Sequence, residues 1–403
     1  YWYFMDGNMS AAGMRKDLVS MRRAGIGSAV FLEVNVGVPR GPVDFLSDEW
    51  FGLFRYMEHT ADSLGIALTL GVGPGWAGSG GPWITAAQSM QELVSSSVEV
   101  SGPAMRRITL PVPSPKPPYF GMGSLTPPLD SEWRDYYRDV AVLCFPTPDS
   151  GAAISDIDEK ALYYRAPFSS RRGVKPFLNA YSPDTATTSR NAIRPGAVVD
   201  LTGRMAPDGT LDWKVPPGNW TVMRFVARGT GAVTRPAPVQ GLGFESSKFD
   251  TAAVTWQLHS YVGKILRHLA PHDTATGGGL KMLHLDSWEM GSQNWSETFR
   301  REFTRRRGYD PLPFYPAYAG RVVGSRALTE RFLWDLRLTA SELVIDRYAR
   351  QLKKYAHAHG LGFSVEPYDM NPSSDLDLGA VADVPMAEFW SRGYGFSTAF
   401  SCI

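Results

Sequence analysis

Charge of one sign is what this chain lacks first: 41 Lys and Arg stand against 40 Asp and Glu, a formal net charge of +1 over 403 residues. Without a basic or acidic excess nothing steers the chain toward nucleic acid or an anionic membrane, and a neutral partner is expected. Long hydrophobic runs are missing too; none reaches the roughly 18 residues of a membrane-spanning helix, so no membrane span is expected. Cysteine is scarce, and the spacing of Cys144 and Cys402 matches neither a zinc motif nor a disulfide framework. Gly71-Val-Gly73-Pro-Gly75 lacks the GxGxxG spacing, no Walker lysine follows, no GxSxG elbow occurs, and no Cys/His pairing offers a thiol nucleophile. The start at Tyr1 carries no basic, apolar leader, and a first residue other than Met points to a trimmed chain, which leaves compartment open.

What is present is aromatic surface and a βα rhythm. Aromatics make up 12% of the residues, with 12 Trp; filling a large core accounts for most of them, and stacking on sugar faces is a second use. Tyr1 to Met5 is a short aromatic run, and Ser10 N-caps a helix that ends at Gly25. The continuous apolar runs Gly27 to Val34 and Ile66 to Val72 suit parallel strands covered on both faces, with a helix from Ser47 to Leu64 between them. A short helical stretch is expected at Thr85 to Leu93.

From about Ser95 the text changes to short alternating runs with turn signals at Pro207-Asp208-Gly209 and Pro217-Gly218-Asn219. The rhythm resumes with a helix from Thr251 to Leu269 and a strand at Leu280 to Leu285. A helix at Ser296 to Arg307 and a long one from Leu328 to His359 follow, then strands at Leu361 to Val365 and Val381 to Ala387. The expected organisation is a barrel first part at residues 1–94 with strands 1–3, an inserted β-rich, antiparallel sandwich-like domain at 95–240, and a barrel second part at 241–403 with strands 4–6.

Right-handed βα units in series close at eight. The fold class expected is therefore α/β, of the (β/α)8 TIM-barrel type, with six of eight units present and the chain cut from a longer one. An open doubly wound sheet is the alternative, and its strand order should reverse at some point.

The last three strands each run into an acid beside an aromatic: Asp286-Ser-Trp288-Glu289, Glu366-Pro-Tyr368, and Glu388-Phe-Trp390. Residues at the C-terminal ends of barrel strands are where such folds do chemistry. Acids and aromatic faces converging there suit a sugar, since glycosidic cleavage commonly uses one carboxyl as acid and a second to activate water or attack carbon. Trp288 is an apolar neighbour able to keep a proton on Glu289, as a general acid needs. Asp286 suits an N-cap or a strand-end anchor equally well, and Glu366 and Glu388 could orient hydroxyls or help hold a hard cation. His284 lies inside a strand and reads as a core residue, and Asp369, Asp375 and Asp377 as solvated loop acids.

Taken together, Asp286-Ser-Trp-Glu289, Gly291-Ser-Gln-Asn294-Trp295, Arg306-Arg307-Gly308-Tyr309-Asp310, Glu366-Pro-Tyr368 and Asp383-Val-Pro-Met-Ala-Glu388-Phe-Trp390 resemble the α-L-rhamnosidases of glycoside hydrolase family 106. Gly41-Pro-Val, Pro74-Gly-Trp76, Gly80-Gly-Pro-Trp83 and Gly243-Phe-Glu245 extend the resemblance over nearly the whole chain. It implies calcium-dependent, inverting hydrolysis of terminal α-L-rhamnosides, with rhamnose-containing glycosides, oligosaccharides or polysaccharides as partners and a periplasmic or secreted location. By the same resemblance Glu289 is the acid, Asp286, Trp288, Glu366, Tyr368 and Trp390 contact substrate, and Glu388 serves the metal. The family's base, a glutamate on a seventh strand, has no counterpart before Ile403, so the isolated chain is expected to be nearly inactive. Two other readings stay open: a retaining glycosidase with Glu289 and Glu388 as the working pair, and a carbohydrate-binding protein without catalysis.

Overall fold

The computed structural model describes residues 1–76, 79–118, 121–149, 153–164, 191–269, 277–367 and 372–387. They fall into two compact units, one of residues 1–89, 232–290 and 342–403, the other of residues 90–231 and 291–341.

The first unit is built on a parallel sheet of six strands: β1 (Trp2–Met5), β2 (Ser28–Val34), β3 (Ala67–Gly71), β4 (Gly279–Leu285), β5 (Gly362–Val365) and β6 (Val384–Pro385). They lie side by side in chain order. That order overturns the doubly wound alternative, because no switch point exists where the winding reverses. Among the described residues the sheet is open, with β1 and β6 at its edges, so a closed barrel is not what these strands form.

Strand and helix bounds follow local chemistry. Ser10 accepts a hydrogen bond from Gly13 N and opens helix α1 (Ala11–Arg23), and Ser47 accepts from Trp50 N to open α2 (Asp48–Leu64), which Gly65 ends at φ 66°. Side chains alternate across a strand, so Phe31 and Glu33 of β2 point the same way, toward α2. Phe31 packs edge-on to Phe54 with centroids 5.3 Å apart, and Glu33 accepts from Trp50 Nε1 at 2.5 Å and Gly7 N at 3.0 Å.

Burial pushes the Glu33 carboxyl up to about 7 from an ordinary 4.5, against the two hydrogen bonds that favour its charge. A carboxyl whose folded value is raised keeps its proton longer in the folded chain than in the unfolded one. Its contribution to stability is whole below pH 4.5 and fades as pH rises to about 7, by at most about 3 kcal/mol. Glu33→Gln is expected to remove that slope from melts run between pH 4.5 and 7, and an unchanged slope would assign it to other groups.

Two expected helices are remodelled. The stretch read as Thr251 to Leu269 breaks into Thr251–Ser260 and Val262–His268, with buried Tyr261 between them stacked on Phe45 and Trp83 at 6.0 and 6.1 Å. The long helix runs from Arg326 to Ala358 but widens into a π turn at Val344–Ala349.

In the second unit Gln91–Thr109, Thr210–Gly229, Arg138–Pro146 and Val199–Asp200 form one antiparallel sheet in that spatial order. No second sheet faces it among the described residues of this unit, so the sandwich expectation is not met. Part of its covering comes from aromatics of 291–341: Tyr315 packs edge-on to Phe225 at 5.6 Å and to Trp295 at 5.7 Å. Pro217-Gly218-Asn219 is no turn, because Gly102 pairs with Gly218 and Ala104 with Val215 across an irregularity inside one long ladder. The prolines supply no N–H to that ladder, and a Cβ on Gly102 would stand 2.1 Å from the Pro216 carbonyl oxygen. Thr85 to Leu93 is likewise only a single 3-10 turn at Ala86–Gln88 before the strand begins at Gln91.

Candidate functional site

Strands β4 and β5 pair in parallel with His284 opposite Ser364 and Leu285 opposite Val365. The ladder continues one step beyond, where Glu366 N donates to Leu285 O at 2.9 Å. Asp286 and Glu366 therefore leave adjoining strands at the same level, above His284 and Ser364 on the same face. His284 is fully buried, and its Nδ1 meets Ser364 Oγ at 2.8 Å. Tyr1 crosses to the cluster from the head of β1, donating its hydroxyl to Glu366 Oε2 at 2.7 Å, with His284 Nε2 3.4 Å away.

The electrostatics of this corner are those of a crowded buried acid pair. Asp286 and Glu366 are each 8% exposed. Burial holds the Asp286 carboxyl well above the usual carboxylate range, and the neighbouring Glu366 charge pushes the same way. Burial also drives the His284 imidazole down to about 3, so it stays neutral. The Tyr1 phenol is held protonated by burial and by the two acids, which fits its role as donor.

His284, Asp286 and Glu366 offer ligand atoms that all lie within 4.8 Å of one another. A divalent cation fits this donor set. It would neutralise two carboxylates that otherwise repel inside a low-dielectric wall, and a hard ion such as calcium would take their oxygens while leaving positions for hydroxyls or water. The neutral imidazole, engaged with Ser364, suits calcium less well as a direct ligand.

Glu289 follows on the irregular stretch after β4. It is half-buried, and its Oε1 accepts from Ser287 Oγ at 2.8 Å. Asp286 accepts from Ser287 N at 3.1 Å. The N-cap reading of Asp286 does not hold, since the next helix, Phe299–Arg307, begins far downstream. Trp288 is 1% exposed, which leaves little of the indole for a sugar to stack on.

Sequence reasoning thus named Asp286, Glu289 and Glu366, which the fold brings to one corner, read His284 as a core residue, as its full burial and its Ser364 partner bear out, and did not name Tyr1. The period-2 spacing His284/Asp286 and Ser364/Glu366 was the available signal for the histidine. Tyr368, Glu388 and Trp390 lie outside the described residues, as does Asp369.

The family model described as alpha-L-rhamnosidase, that of glycoside hydrolase family 106, matches residues 1–399. The chain belongs to glycoside hydrolase family 106. A relative of this family 106 chain from Formosa agariphila, named "Putative beta-glucuronidase", is 36% identical over 397 residues, covering 98% of the chain and 31% of the relative. The rhamnosidase structure from Novosphingobium sp. PP1Y shares its fold, with a TM-score of 0.79 and 24% identity over 98% of this chain and 48% of that one. The family 106 chain thus spans under half the length of either protein. No helix among its described residues is long and apolar enough to cross a membrane.

Proposed function

We propose that this chain carries the catalytic acid of a glycosidase that removes terminal α-L-rhamnose by inversion, outside the cytoplasm. The observation that carries the reading is the juxtaposition of half-buried Glu289 with the buried Asp286–Glu366 pair, in a chain matched by the rhamnosidase family from residue 1 to 399. In this reading Glu289 protonates the departing glycosidic oxygen. Partial burial suits that task, because the carboxyl stays open enough to reach the leaving group.

Asp286 and Glu366 would hold calcium, joined by Glu388. Bound there, the ion would grip vicinal sugar hydroxyls as a Lewis acid. Tyr1 steadies Glu366 by its hydrogen bond, and the family resemblance assigns Tyr368 and Trp390 to contact the sugar. Inversion also needs a general base, and this reading assigns none among the described residues.

The name of the Formosa agariphila relative makes β-glucuronides the second reading. With calcium on Asp286 and Glu366 a uronate carboxylate would be a further oxygen ligand, so charge does not separate the two readings. The deciding measurement gives the full-length protein para-nitrophenyl α-L-rhamnoside and para-nitrophenyl β-D-glucuronide and follows the first-released sugar by proton NMR. Preference for the rhamnoside with inverted anomer is expected. Preference for the glucuronide would overturn the substrate, and a retained anomer would favour Glu289 and Glu388 as a nucleophilic pair. Binding of rhamnosides without turnover would leave a carbohydrate-binding protein.

A further inference from the structure

Glu245 and Lys248 form an ion pair with no exposed surface on either side chain. Lys248 Nζ donates to Glu245 Oε2 at 2.7 Å and to the Ser246 carbonyl at 2.8 Å. Ser79 donates its N–H to both Glu245 oxygens and its hydroxyl to Oε2, each at 3.3 Å. A two-residue antiparallel bridge, Gly80–Gly81 against Phe244–Glu245, fixes the pair in place, and it needs glycine: a Cβ on Gly80 would stand 2.1 Å from the Phe244 carbonyl oxygen.

Burying two charges seldom stabilises a fold more than apolar groups of the same shape would. The surroundings of the ammonium suggest what it does instead. Lys248 Nζ lies 5.7 Å from the Trp288 ring centroid and 5.1 Å from that of Tyr348, within cation–π reach of both. Trp288 is the residue before Glu289. Tyr348 stands in the π turn Val344–Ala349, a helix irregularity that is frequent at functional sites. The Glu245 carboxylate, the π turn and the acid-bearing stretch thus meet around one ammonium, that of Lys248.

We propose that Lys248 is a positioning residue: its ammonium, anchored by Glu245 and Ser246, holds the Trp288 indole and thereby sets where the Glu289 carboxyl stands. The inference rests on Glu289 being the acid. Lys248 touches no reacting atom, so its effect must pass through Glu289 and must depend on how much acid assistance a substrate needs.

The test compares methyl α-L-rhamnoside, whose poor leaving group needs a proton, with para-nitrophenyl α-L-rhamnoside, whose leaving group needs little. It is run on full-length protein carrying K248M, E245Q/K248M, E289Q, and E289Q combined with E245Q/K248M. Since K248M alone strands the Glu245 charge and can unfold the chain, the double variant, neutral and of matched shape, decides. E245Q/K248M is expected to lower kcat/KM for the methyl glycoside about 10²-fold, the scale of a displaced catalytic group. It should change the para-nitrophenyl glycoside far less, and add nothing in the E289Q background.

Equal losses on both substrates, or wild-type rates on both, would overturn the inference and reduce the pair to a structural element. If E289Q itself leaves methyl glycoside turnover unchanged, the acid assignment fails and this inference falls with it. If E289Q is selective while E245Q/K248M is not, the inference fails alone.

Discussion

Glu289→Gln in the full-length protein is expected to lower kcat/KM for methyl α-L-rhamnoside by about 10²- to 10⁴-fold, the range a positioned general acid supplies. Gln keeps the shape of the side chain and an oxygen to accept the Ser287 hydroxyl, which Glu289 does at 2.8 Å, so the wall around it should persist. What it cannot do is give a proton to a departing alkoxide. The loss must therefore shrink as the leaving group improves, and para-nitrophenyl α-L-rhamnoside should lose about tenfold or less by the same reasoning. Equal losses on the two substrates would point to damaged binding, and retention of methyl glycoside turnover would move the acid to another residue. Melting temperatures of variant and parent, measured side by side, separate either result from unfolding.

Much of the frame behind this expectation was legible in the sequence because buried parallel strands are continuous apolar runs. All six positions were readable, although the last, expected over Val381 to Ala387, is only the exposed pair Val384–Pro385, and the acids at the ends of β4 and β5 followed from where those runs stop. Closure was not legible, since an open and a closed sheet use the same runs. The π turn at Val344–Ala349 was hidden too, because widening a helix by one residue barely alters its apolar stripe. The Pro217-Gly218-Asn219 error has a similar origin: turn residues also serve a ladder irregularity, and only pairing across Gly102 tells which. At the site, Tyr1 had no local signal, since its partner Glu366 is 365 residues away. Lys248 was unreadable for the same reason: Glu245 is three residues before it, but the ring it lies against belongs to Trp288.

The calcium assignment predicts a reversal in the order of two stabilities. With chelator present, Asp286 sits buried beside Glu366, and its raised affinity for a proton is itself a cost to folding at neutral pH. The sign follows from the direction: the contribution is intact below the ordinary aspartate value and is lost as pH rises. Asp286→Asn removes the charge and keeps the shape, so in chelator at pH 7 it should be more stable than the parent by about 1–3 kcal/mol, the usual penalty for a buried polar group poorly served. The gap should close as pH falls toward 4. With calcium the order should invert, because the parent gains about 4.1 kcal/mol at 1,000 times the dissociation constant while the variant, having lost half the charge of the pair, gains little. Turnover of para-nitrophenyl α-L-rhamnoside should follow the same titration, falling in chelator and returning with added calcium in the parent but not in Asp286→Asn. Melts in chelator and in calcium read the effect directly, and an equal calcium-induced shift in parent and variant would remove Asp286 from the metal site and leave it as a hydrogen-bonded acid beside Glu366.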